Sequence, residues 1–521
     1  MKRQNPDLRR AALVAAVVLG VGLTSAQMAA AAPTAGHTLP ANTHFYVPPP
    51  ADGSVQEALQ LWRRGDVADA KLILSMESVP QAVWLTGETS AQAAQGARGS
   101  LEANHEVERK VSETLLAARW QRAVPIFVAY NIPGRDCSQY SAGGAPSDAE
   151  YEQWIESLAR GLRHGKAVVI LEPDALANLP SGCGAAYQSA NPLITDATRE
   201  ADVAYGVNVL EKDPNASVYV DAGHSAWQSV GTIAQRLLAA GVQQAQGFFL
   251  DVSNYQYASN NVFYGTWVSD CIAYGTVVNP DDTNLAGDCP NQYWNGGPAT
   301  NWNGTALLNF GTWSGTAADL DLNTSGIDTR YASMLGSFAA TTHFVIDTSR
   351  NGQGPNSMQS YSVAPYNQPS DPLVTMTQGT YTWNQYVPAS TIATLVGGNW
   401  CNPPASGTGI LPTADTAAVS PLLDAYLWVK TPGQSDGQCD AAGGVRAWDD
   451  SSDTPAIQGW PVSSPPSSTY QTFDPLWSLE TDSVFTDPAA GAWFAQQALQ
   501  LARNANPALP QLPDHWSHRA R

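Results

Sequence analysis

Seven short apolar segments, separated by much longer stretches, limit the folds that this chain can adopt. The segments are rich in valine, isoleucine and aromatic residues, as is typical of parallel strands that are buried on both faces. They are Ala82–Leu85, Val124–Tyr130, Ala167–Leu171, Val218–Val220, Phe248–Leu250, His343–Ile346 and Ala425–Val429. Parallel strands need long crossover connections, which are usually helical, so this spacing favours an α/β fold.

The connection between the second and third segments has the clearest helical pattern. Ser147 and Glu150 have the spacing of a capping box, and Gly165 follows the pattern as a stop signal. The apolar stripe between these signals consists of Trp154, Ile155, Leu158 and Leu162. Strands that alternate with helices predict a parallel sheet closed into a β/α barrel of the TIM type.

The first 32 residues are expected to lie outside this fold. Basic residues near the start precede an apolar run, Ala11–Leu23, and Ala30–Ala32 then offer a small-residue cleavage site. This layout predicts a secretory signal peptide and therefore a secreted, extracellular protein. An uncleaved membrane anchor is the alternative, but the run is shorter than the roughly 20 residues that a span needs. No later segment is long and apolar enough to cross a membrane.

The chain is acidic, with a formal net charge of −20. Removal of the basic leader would leave about −23. A strongly acidic surface argues against nucleic acid or an anionic membrane as a partner. Six cysteines follow the leader, and an even number in an exported chain favours three disulfides. None of the cysteines has the spacing of zinc ligands, and we expect neither a metal nor a cofactor.

Acidic and basic residues follow six of the predicted strands. The carboxyl ends of strands in a β/α barrel open on one face, so these residues should meet in a single cleft. An aspartate after a strand is usually a helix cap, but six such ends are hard to explain by capping alone. In chain order the stretches are Asn131–Asp136, Glu172–Asp174, Asp221–His224, Asp251 with Asn254, Asp347 with Arg350, and Lys430 with Asp436.

A cleft rich in aspartate favours acid–base chemistry on a neutral substrate. The sequence has no Walker phosphate loop. Hydrolysis of a glycosidic bond needs two carboxyl groups, one protonated and one ionised, and neighbouring acids help to keep one protonated. The 17 tryptophans fit this interpretation, because aromatic faces pack against sugar rings, although most will be core or surface residues.

Several of these stretches, taken together, resemble the signature segments of glycoside hydrolase family 6, which contains cellobiohydrolases and endoglucanases. The resemblance runs from Phe45 to Pro507 and is closest to the exo-acting 1,4-β-cellobiohydrolases. It implies a distorted seven-stranded parallel β/α barrel with long active-site loops. The segments are Tyr130–Cys137, Leu171–Asn178, Asp221–Trp227, Trp400–Asn402, Lys430–Gly437, Ala490–Phe494 and Asn504–Pro507.

The domain division follows from this resemblance. After the signal peptide, residues 33–50 are expected to form an extended lead-in, and residues 51–510 the glycoside hydrolase catalytic domain. Residues 511–521 would form a C-terminal tail. We expect a monomer whose partner is a cellulose or cello-oligosaccharide chain.

The resemblance also implies roles for individual residues. Asp174 would be the general acid, and Asp136 the neighbouring acid that keeps the proton on it and positions water. Asp436 is the candidate base. Arg135 would hold these carboxylates by charge pairing, and Tyr130 would lie beneath the distorted sugar. The sugar-binding residues would be Trp84, Asp221, His224, Trp227, Asn254, Trp400, Lys430 and Gln434. For Arg135 and Lys430, a purely structural role as ion-pair partners remains open. For Trp227, a position in the core remains open.

Two positions depart from the family pattern. Gln434 stands where members usually carry a glutamate, so the side chain can bind a sugar hydroxyl but cannot titrate. We expect altered affinity or pH dependence rather than loss of activity. Val230 stands where processive relatives carry a second tryptophan, which weakens the case for a strong grip on crystalline chains.

The resemblance pairs Cys137 with Cys183 and Cys401 with Cys439, which leaves Cys271 and Cys289 as the third pair. Each bridge would contribute about 2–4 kcal/mol and restrain loops beside the site. Two free thiols are the alternative for the third pair.

The long connection from Tyr255 to Thr341 bears on the mode of action. Ordered loops of this length over the cleft would form a tunnel, so we expect exo action from the non-reducing end, with release of cellobiose. The connection carries Trp267, Tyr293, Trp294, Trp302 and Trp313.

Asp319–Asn323 hints at a calcium loop but lacks the distal glutamate.

Three alternatives stay open. One is an endoglucanase on the same fold, and another is a hydrolase of a different β-linked glucan or of xylan. The third is a non-catalytic glucan-binding protein, against which the intact Asp136, Asp174 and Asp436 argue.

Overall fold

The structure is a computed structural model of the chain. It describes residues 39–87, 92, 95–138, 140–293, 306–357, 359–360, 363, 374–378, 381–385, 399–439, 476–477, 480, 485 and 487–512. The expected signal peptide, most of the expected tail, Trp294 and Trp302 lie outside the described residues. Among the described helices, none has both the length and the apolar character needed to cross a bilayer.

Seven parallel strands form one curled sheet, in the order β1-β2-β3-β4-β5-β6-β9. The strands are β1 Val83–Thr86, β2 Ile126–Tyr130, β3 Ala167–Leu171, β4 Ala216–Asp221, β5 Gly247–Leu250, β6 His343–Asp347 and β9 Leu423–Leu427. A separate antiparallel pair consists of β7 Val374–Gln378 and β8 Tyr381–Gln385. The predicted fold class, a distorted α/β barrel with seven parallel strands, is confirmed.

The edge strands β1 and β9 approach each other without a continuous ladder. The N–H of Ala82 donates to the carbonyl of Trp428 at 2.9 Å, and the indole Nε1 of Trp84 donates to the carbonyl of Val429 at 2.9 Å. Among the described residues the two edge strands are therefore joined only by isolated hydrogen bonds, and the sheet curls without a continuous closure.

Two strand boundaries differ from the sequence prediction for identifiable reasons. The predicted second strand begins at Val124, but the ladder begins at Ile126 because Pro125 has no N–H to donate. Val124 instead forms an isolated parallel bridge with Phe45 in the extended lead-in. The last strand begins two residues earlier than predicted, because buried Asp424 belongs to it and interrupts the apolar pattern.

Helices cover the outer face of the sheet. They are α1 Ser54–Arg64, α2 Val67–Glu77, α3 Ala97–Gln121, α4 Asp148–Leu162, α5 Ala185–Ala190, α6 Asp196–Leu210, α7 Val230–Ala239, α8 Ala258–Ala273, α9 Leu285–Asp288, α10 Ser325–Leu335 and α11 Ala495–Arg503. The α4 helix begins as predicted, with the Ser147 side chain accepting from the N–H of Glu150. In a full capping box the Glu150 carboxylate would accept from the backbone N–H of Ser147. Here it accepts from the hydroxyls of Ser147 and Ser100.

The long connection between β5 and β6 is more helical than the sequence interpretation implies. It contains α8, α9 and α10 in place of one long loop. The α8 helix is buried on nearly all sides. Its buried Asn260 and Asn261 interrupt the apolar stripe from which a helix would be predicted. Trp267 and Trp313 are buried and stacked at 5.7 Å, so they are core residues of this region.

Three disulfides join segments of the fold, and no cysteine is free. Cys137–Cys183 links the loops after β2 and β3, and Cys401–Cys439 links the segments on either side of β9. Cys271–Cys289 links α8 to the residue after α9. These are the pairs that the resemblance implies.

Candidate active site

A cavity of about 650 Å³ opens at the carboxyl ends of the strands. Its lining brings together most of the residues proposed from the sequence, together with some that the sequence did not single out. The proposed residues in the lining are Trp84, Tyr130, Asp136, Asp174, His224, Trp227, Asn254, Trp400, Lys430 and Asp436. The additional ones include Tyr140, Asn178, Gln256, Asn309, Phe310 and Asn399.

Asp174 faces this cavity from the loop after β3, where its backbone adopts the left-handed conformation with φ 66°. Burial raises the pKa of its carboxyl well above the usual value, and the negative charges of Asp221, Asp136 and Asp436 raise it further. Lys430 opposes this shift only in part. Among the described residues Asp174 has no ion-pair partner. These surroundings therefore favour the neutral form of the carboxyl group.

Asp436 faces the same cavity with the opposite electrostatics. Arg350 Nη1 donates to both of its oxygens at 2.9 and 2.8 Å, and Lys430 Nζ lies 3.2 Å from Oδ1. The N–H of Asn402 and the hydroxyl of Tyr255 donate to Oδ2 at 3.0 and 3.2 Å. Burial opposes ionisation of Asp436, but the two cations outweigh it and lower its pKa. The carboxylate is held ionised.

Arg350 is the main partner of Asp436. The sequence placed it among the residues expected in the cleft but assigned it no individual role, and in the structure it does not line the cavity. Its side chain is fully buried, lies 4.3 Å above the ring of Tyr255 and also donates to the carbonyl of Ser253. The available signal was its position three residues after the end of β6. The partner could not be identified from sequence, because Asp436 lies 86 residues further along the chain.

Asp136 lines the cavity from the loop after β2. Its Oδ2 accepts from the N–H of Ser141 at 2.6 Å. Burial raises its pKa to about 6, against the backbone hydrogen bond and the charge of Arg135. Asp136 therefore changes its charge at a higher pH than an ordinary aspartate.

Arg135 does not hold the catalytic carboxylates by direct pairing. Its guanidinium donates to the carbonyls of Tyr130 and Ser141 and lies 4.4 Å above the ring of Tyr130. Its charge reaches Asp136 only through space. The geometry gives Arg135 a structural function, which the sequence left open, and a restraint on Tyr130 in the cavity lining.

A second group of carboxylates lies beneath the cavity and binds backbone N–H groups. Glu172 accepts from Asn131 at 2.8 Å and Ile132 at 2.9 Å, which holds the loop that carries Asp136. Burial raises the pKa of Glu172 to about 7. Asp347 accepts from the N–H of Lys430 at 3.0 Å and so holds the start of the loop that carries Asp436.

Asp221 belongs to this buried group, and its proposed sugar-binding role needs correction. Its side chain is 1% exposed. Its Oδ2 accepts from the N–H groups of Leu176 and Ala177 at 2.9 and 2.8 Å, and Oδ1 accepts from Gly223 at 3.0 Å. Both oxygens are occupied by backbone donors, so Asp221 fixes the loop that carries Asp174 and does not line the cavity.

His224 and Trp227 form one side of the cavity, with their rings 5.5 Å apart. The Nδ1 of His224 accepts from the N–H of Ala226 at 3.2 Å, which leaves the proton on Nε2. Burial lowers the pKa of His224 to about 3, so the ring is neutral. It offers a neutral N–H donor, which suits a hydroxyl group.

Aromatic rings form the remaining walls. Trp84 meets Tyr130 edge-on at 5.4 Å, and Tyr140 lies 5.9 Å from Trp400. These apolar faces beside neutral and charged hydrogen-bonding groups suit a substrate with flat apolar faces and many hydroxyls, such as a chain of sugars.

Gln434 is the other proposed sugar-binding residue that does not line the cavity. It is half-buried, and its backbone pairs with Trp493 on the side of the loop that leads to α11. Gln434 is only two positions from Asp436, but it does not line the cavity with it. Sequence proximity alone did not reveal this difference.

No group of three or more histidine, cysteine, aspartate or glutamate side chains among the described residues is arranged to hold a metal ion. The acid Asp319 and its neighbours form a short 3₁₀ turn, Leu320–Leu322. In the following segment, Asn323 Oδ1 accepts from the N–H of Ser325 at the start of α10. The calcium interpretation of this segment therefore has no support beyond the sequence pattern.

A neutral carboxylic acid and an ionised carboxylate share one aromatic-lined cavity at the open end of a β/α barrel. This combination is typical of glycoside hydrolases. The comparison with known families agrees. The sequence model of Glycosyl hydrolases family 6 matches residues 40–505, and the chain belongs to that family.

Individual relatives carry the names of both kinds of enzyme in this family. Endoglucanase A of Cellulomonas fimi is 27% identical over 461 residues, which cover 88% of this chain and 61% of that protein. A probable 1,4-beta-D-glucan cellobiohydrolase C of Aspergillus terreus is 25% identical over 401 residues, or 73% of this chain and 60% of that protein. The chain thus spans about three fifths of the length of these two relatives.

The fold is also similar to a solved structure, that of an endoglucanase from Humicola insolens. The TM-score is 0.51 at 19% sequence identity, with 90% of this chain and 99% of that chain covered. At this identity the similarity concerns the fold alone.

Proposed function

We propose that this protein hydrolyses β-1,4-glucosidic bonds of cellulose or cello-oligosaccharides with inversion of the anomeric configuration. The observation that carries the proposal is the contrast between two carboxyl groups in one cavity. Asp436 is paired with Arg350 and Lys430, which lower its pKa, whereas burial and neighbouring carboxyl groups raise the pKa of Asp174. Membership of the family and the names of its relatives support the substrate class.

In this proposal Asp174 donates its proton to the oxygen of the leaving sugar as the glycosidic bond breaks. The raised pKa keeps the proton in place until the bond begins to open. General acid catalysis of this kind contributes about 10²–10⁴ in rate. Asp221 supports the step by fixing the loop of Asp174 and by adding a negative charge that favours the neutral acid.

The inverting step needs a water molecule on the opposite face of the sugar and an acceptor for its proton. The oxygens of Asp436 already accept from Arg350, Asn402 and Tyr255, and its low pKa makes it a weak base. These contacts favour a role in which Asp436 stabilises positive charge on the sugar and receives the proton through a second water. Asp136, whose pKa is about 6, would orient that water chain.

Sugar binding would use the aromatic walls and the neutral donors. Tyr130 would lie beneath the reacting sugar, with Trp84 beside it. The proposed binding residues of the other walls are His224, Trp227, Asn254, Trp400 and Lys430. Asp221 and Gln434 are left out of this set, because the first is buried and the second lies outside the lining.

Exo action from the non-reducing end, with release of cellobiose, is the finer proposal. Asn309 and Phe310 in the β5–β6 connection support it, because they line the cavity, as a tunnel roof formed by this connection requires. Endo action is the second candidate, favoured by the endoglucanase name of the Cellulomonas fimi relative.

Two experiments test these proposals. Cello-oligosaccharides would be hydrolysed with anomer detection by NMR, where first-formed α-anomer is expected and first-formed β-anomer would overturn inversion. Soluble carboxymethyl-cellulose would then separate the modes. Exo action predicts slow viscosity loss per bond cut, and a rapid loss would establish endo action.

We also propose that the protein is exported, which rests on the leader sequence, and that it is monomeric. Mass spectrometry of the protein recovered from culture medium would locate the mature N-terminus. Light scattering of the same sample would give the mass, and a dimer would contradict the monomer.

A further inference from the structure

We propose that Trp493 and Glu57 are positioning residues. They hold the segment 431–437, and through it Asp436, at the edge of the cavity. The effect of these residues on catalysis rests on the proposed function, but their effect on the position of the segment 431–437 does not. Neither residue lines the cavity.

The segment that carries Asp436 is bound by backbone to the chain just before α11. The N–H of Phe494 donates to the carbonyl of Gly433 at 2.7 Å, and the N–H of Ser435 donates to the carbonyl of Ala492 at 2.9 Å. These bonds form a short antiparallel contact directly beside Asp436. The position of residue 493 therefore sets the position of the catalytic segment.

Trp493 lies between two glycines that leave room for its ring. A Cβ on Gly433 would stand 2.7 Å from the far edge of the indole, and a Cβ on Gly53 would stand 2.6 Å from the Trp493 Cβ. Both glycines have positive φ, at 88° and 97°. The far edge of the indole is thus packed against the backbone of the segment 431–437, and the base of the side chain against the start of α1.

Glu57 fixes the orientation of this indole. Trp493 Nε1 donates to Glu57 Oε2 at 2.7 Å. Glu57 lies on α1 and is 7% exposed, so the hydrogen bond is shielded from water. It connects the N-terminal helices to the Asp436 segment, which sequence alone places more than 370 residues away. Loss of one such bond costs about 1 kcal/mol, or roughly a fivefold change in an opening equilibrium.

Glutamine is a suitable replacement that keeps the acceptor. Burial raises the pKa of Glu57 to about 7, so a neutral side chain is already populated near neutral pH. Glu57→Gln retains a carbonyl oxygen for the indole, whereas Glu57→Leu removes the acceptor at similar size. Trp493→Phe keeps an aromatic ring and removes the donor.

The first test is hydrogen exchange of the intact protein, read by mass spectrometry on peptides that cover 431–439. Trp493→Phe and Glu57→Leu should each speed exchange there about fivefold. Glu57→Gln should restore wild-type exchange. Trp62→Phe is the matched control, since Trp62 packs in the same apolar cluster and should leave these amides unchanged.

The second test is the kinetics of the same variants on a soluble cello-oligosaccharide, with thermal unfolding as a check of the fold. In Trp493→Phe and Glu57→Leu, kcat should fall about tenfold while KM stays within about twofold. Wild-type exchange in both variants would overturn the proposal, as would faster exchange with unchanged kcat. A wild-type protein that releases no sugar would refute the proposed function instead, and the exchange data would still decide whether the segment is held.

Discussion

The wall that carries Asp174 and the wall that carries Asp436 present the same side chain in opposite states of charge. Asp174 is surrounded by carboxyl groups, which reinforce the effect of burial and raise its pKa. Asp436 is buried as well, but Arg350 and Lys430 overcome the effect of burial and lower its pKa. Burial alone does not decide the role of a carboxyl group in this cavity, and the sign of its neighbours does.

The layer beneath the cavity strengthens this contrast. Asp221 and Glu172 are buried carboxyl groups that accept hydrogen bonds from backbone N–H groups. Asp221 binds the loop that carries Asp174, and Glu172 binds the loop that carries Asp136. Asp347 does the same for the segment at Lys430. On the side of Asp174, Asp221 both positions the loop and raises the pKa of Asp174 through its charge. On the side of Asp436, Asp347 holds the backbone at Lys430, and Arg350 and Lys430 add two positive charges.

The largest expected effect is the loss of the acid. Asp174→Asn removes the proton donor while keeping the shape of the side chain, so kcat on cello-oligosaccharides should fall about 10³-fold or more. Binding of a non-hydrolysed thio-linked cello-oligosaccharide, measured by calorimetry, should be retained. Turnover close to that of the wild type would remove Asp174 from the role of acid.

The next effect is on the other wall, where Arg350→Met leaves Asp436 buried without its main cation. Breaking a buried pair in this way should lower the free energy of unfolding by about 3 kcal/mol, measured by denaturant titration. Arg109→Met is the control, because both side chains of the Arg109–Glu113 pair are largely exposed and the pair should contribute less than about 1 kcal/mol. Equal losses in the two variants would contradict the buried-pair interpretation.

A smaller effect concerns the pH profile. The proposed mechanism needs Asp436 ionised and Asp174 protonated, so kcat/KM should fall both below the pKa of Asp436 and above that of Asp174. Lys430 lowers the pKa of both groups. Lys430→Met should therefore move both limbs to higher pH by about one unit, whereas Lys430→Arg, which retains the charge, should not. Movement to lower pH would refute this electrostatic account.

The smallest effect is expected at Gln434. Because the side chain does not line the cavity, Gln434→Glu should change KM by less than about threefold and leave kcat nearly unchanged. Initial rates over a range of cello-oligosaccharide concentrations would measure this. A tenfold or larger change would show that Gln434 reaches the substrate.

The sequence predicted the strands well where apolar residues were uninterrupted, as in β3, whose bounds Ala167–Leu171 agree with the structure. It failed where a backbone or buried polar group overrides the pattern. Pro125 delays the ladder of β2, and Asp424 hides the start of β9. The helix α8 was missed because buried Asn260 and Asn261 occupy positions where an apolar stripe would be expected.

The site was predictable as a set of residue positions and less so as a set of roles. The place of Asp174 after β3 and the family resemblance were enough to place it in the cavity. Asp221 looks the same in sequence whether its carboxylate faces a ligand or accepts backbone N–H groups. The Arg350–Asp436 pair and the Glu57–Trp493 bond join distant parts of the chain, so only the fold reveals them.

Infrared difference spectroscopy tests the central contrast most directly. Spectra of the wild type minus Asp174→Asn, recorded near neutral pH, should contain the carbonyl stretch of a protonated carboxylic acid. Wild type minus Asp436→Asn should instead contain the bands of an ionised carboxylate. A protonated-acid band that disappears in Asp436→Asn and remains in Asp174→Asn would contradict the assignment of the two walls.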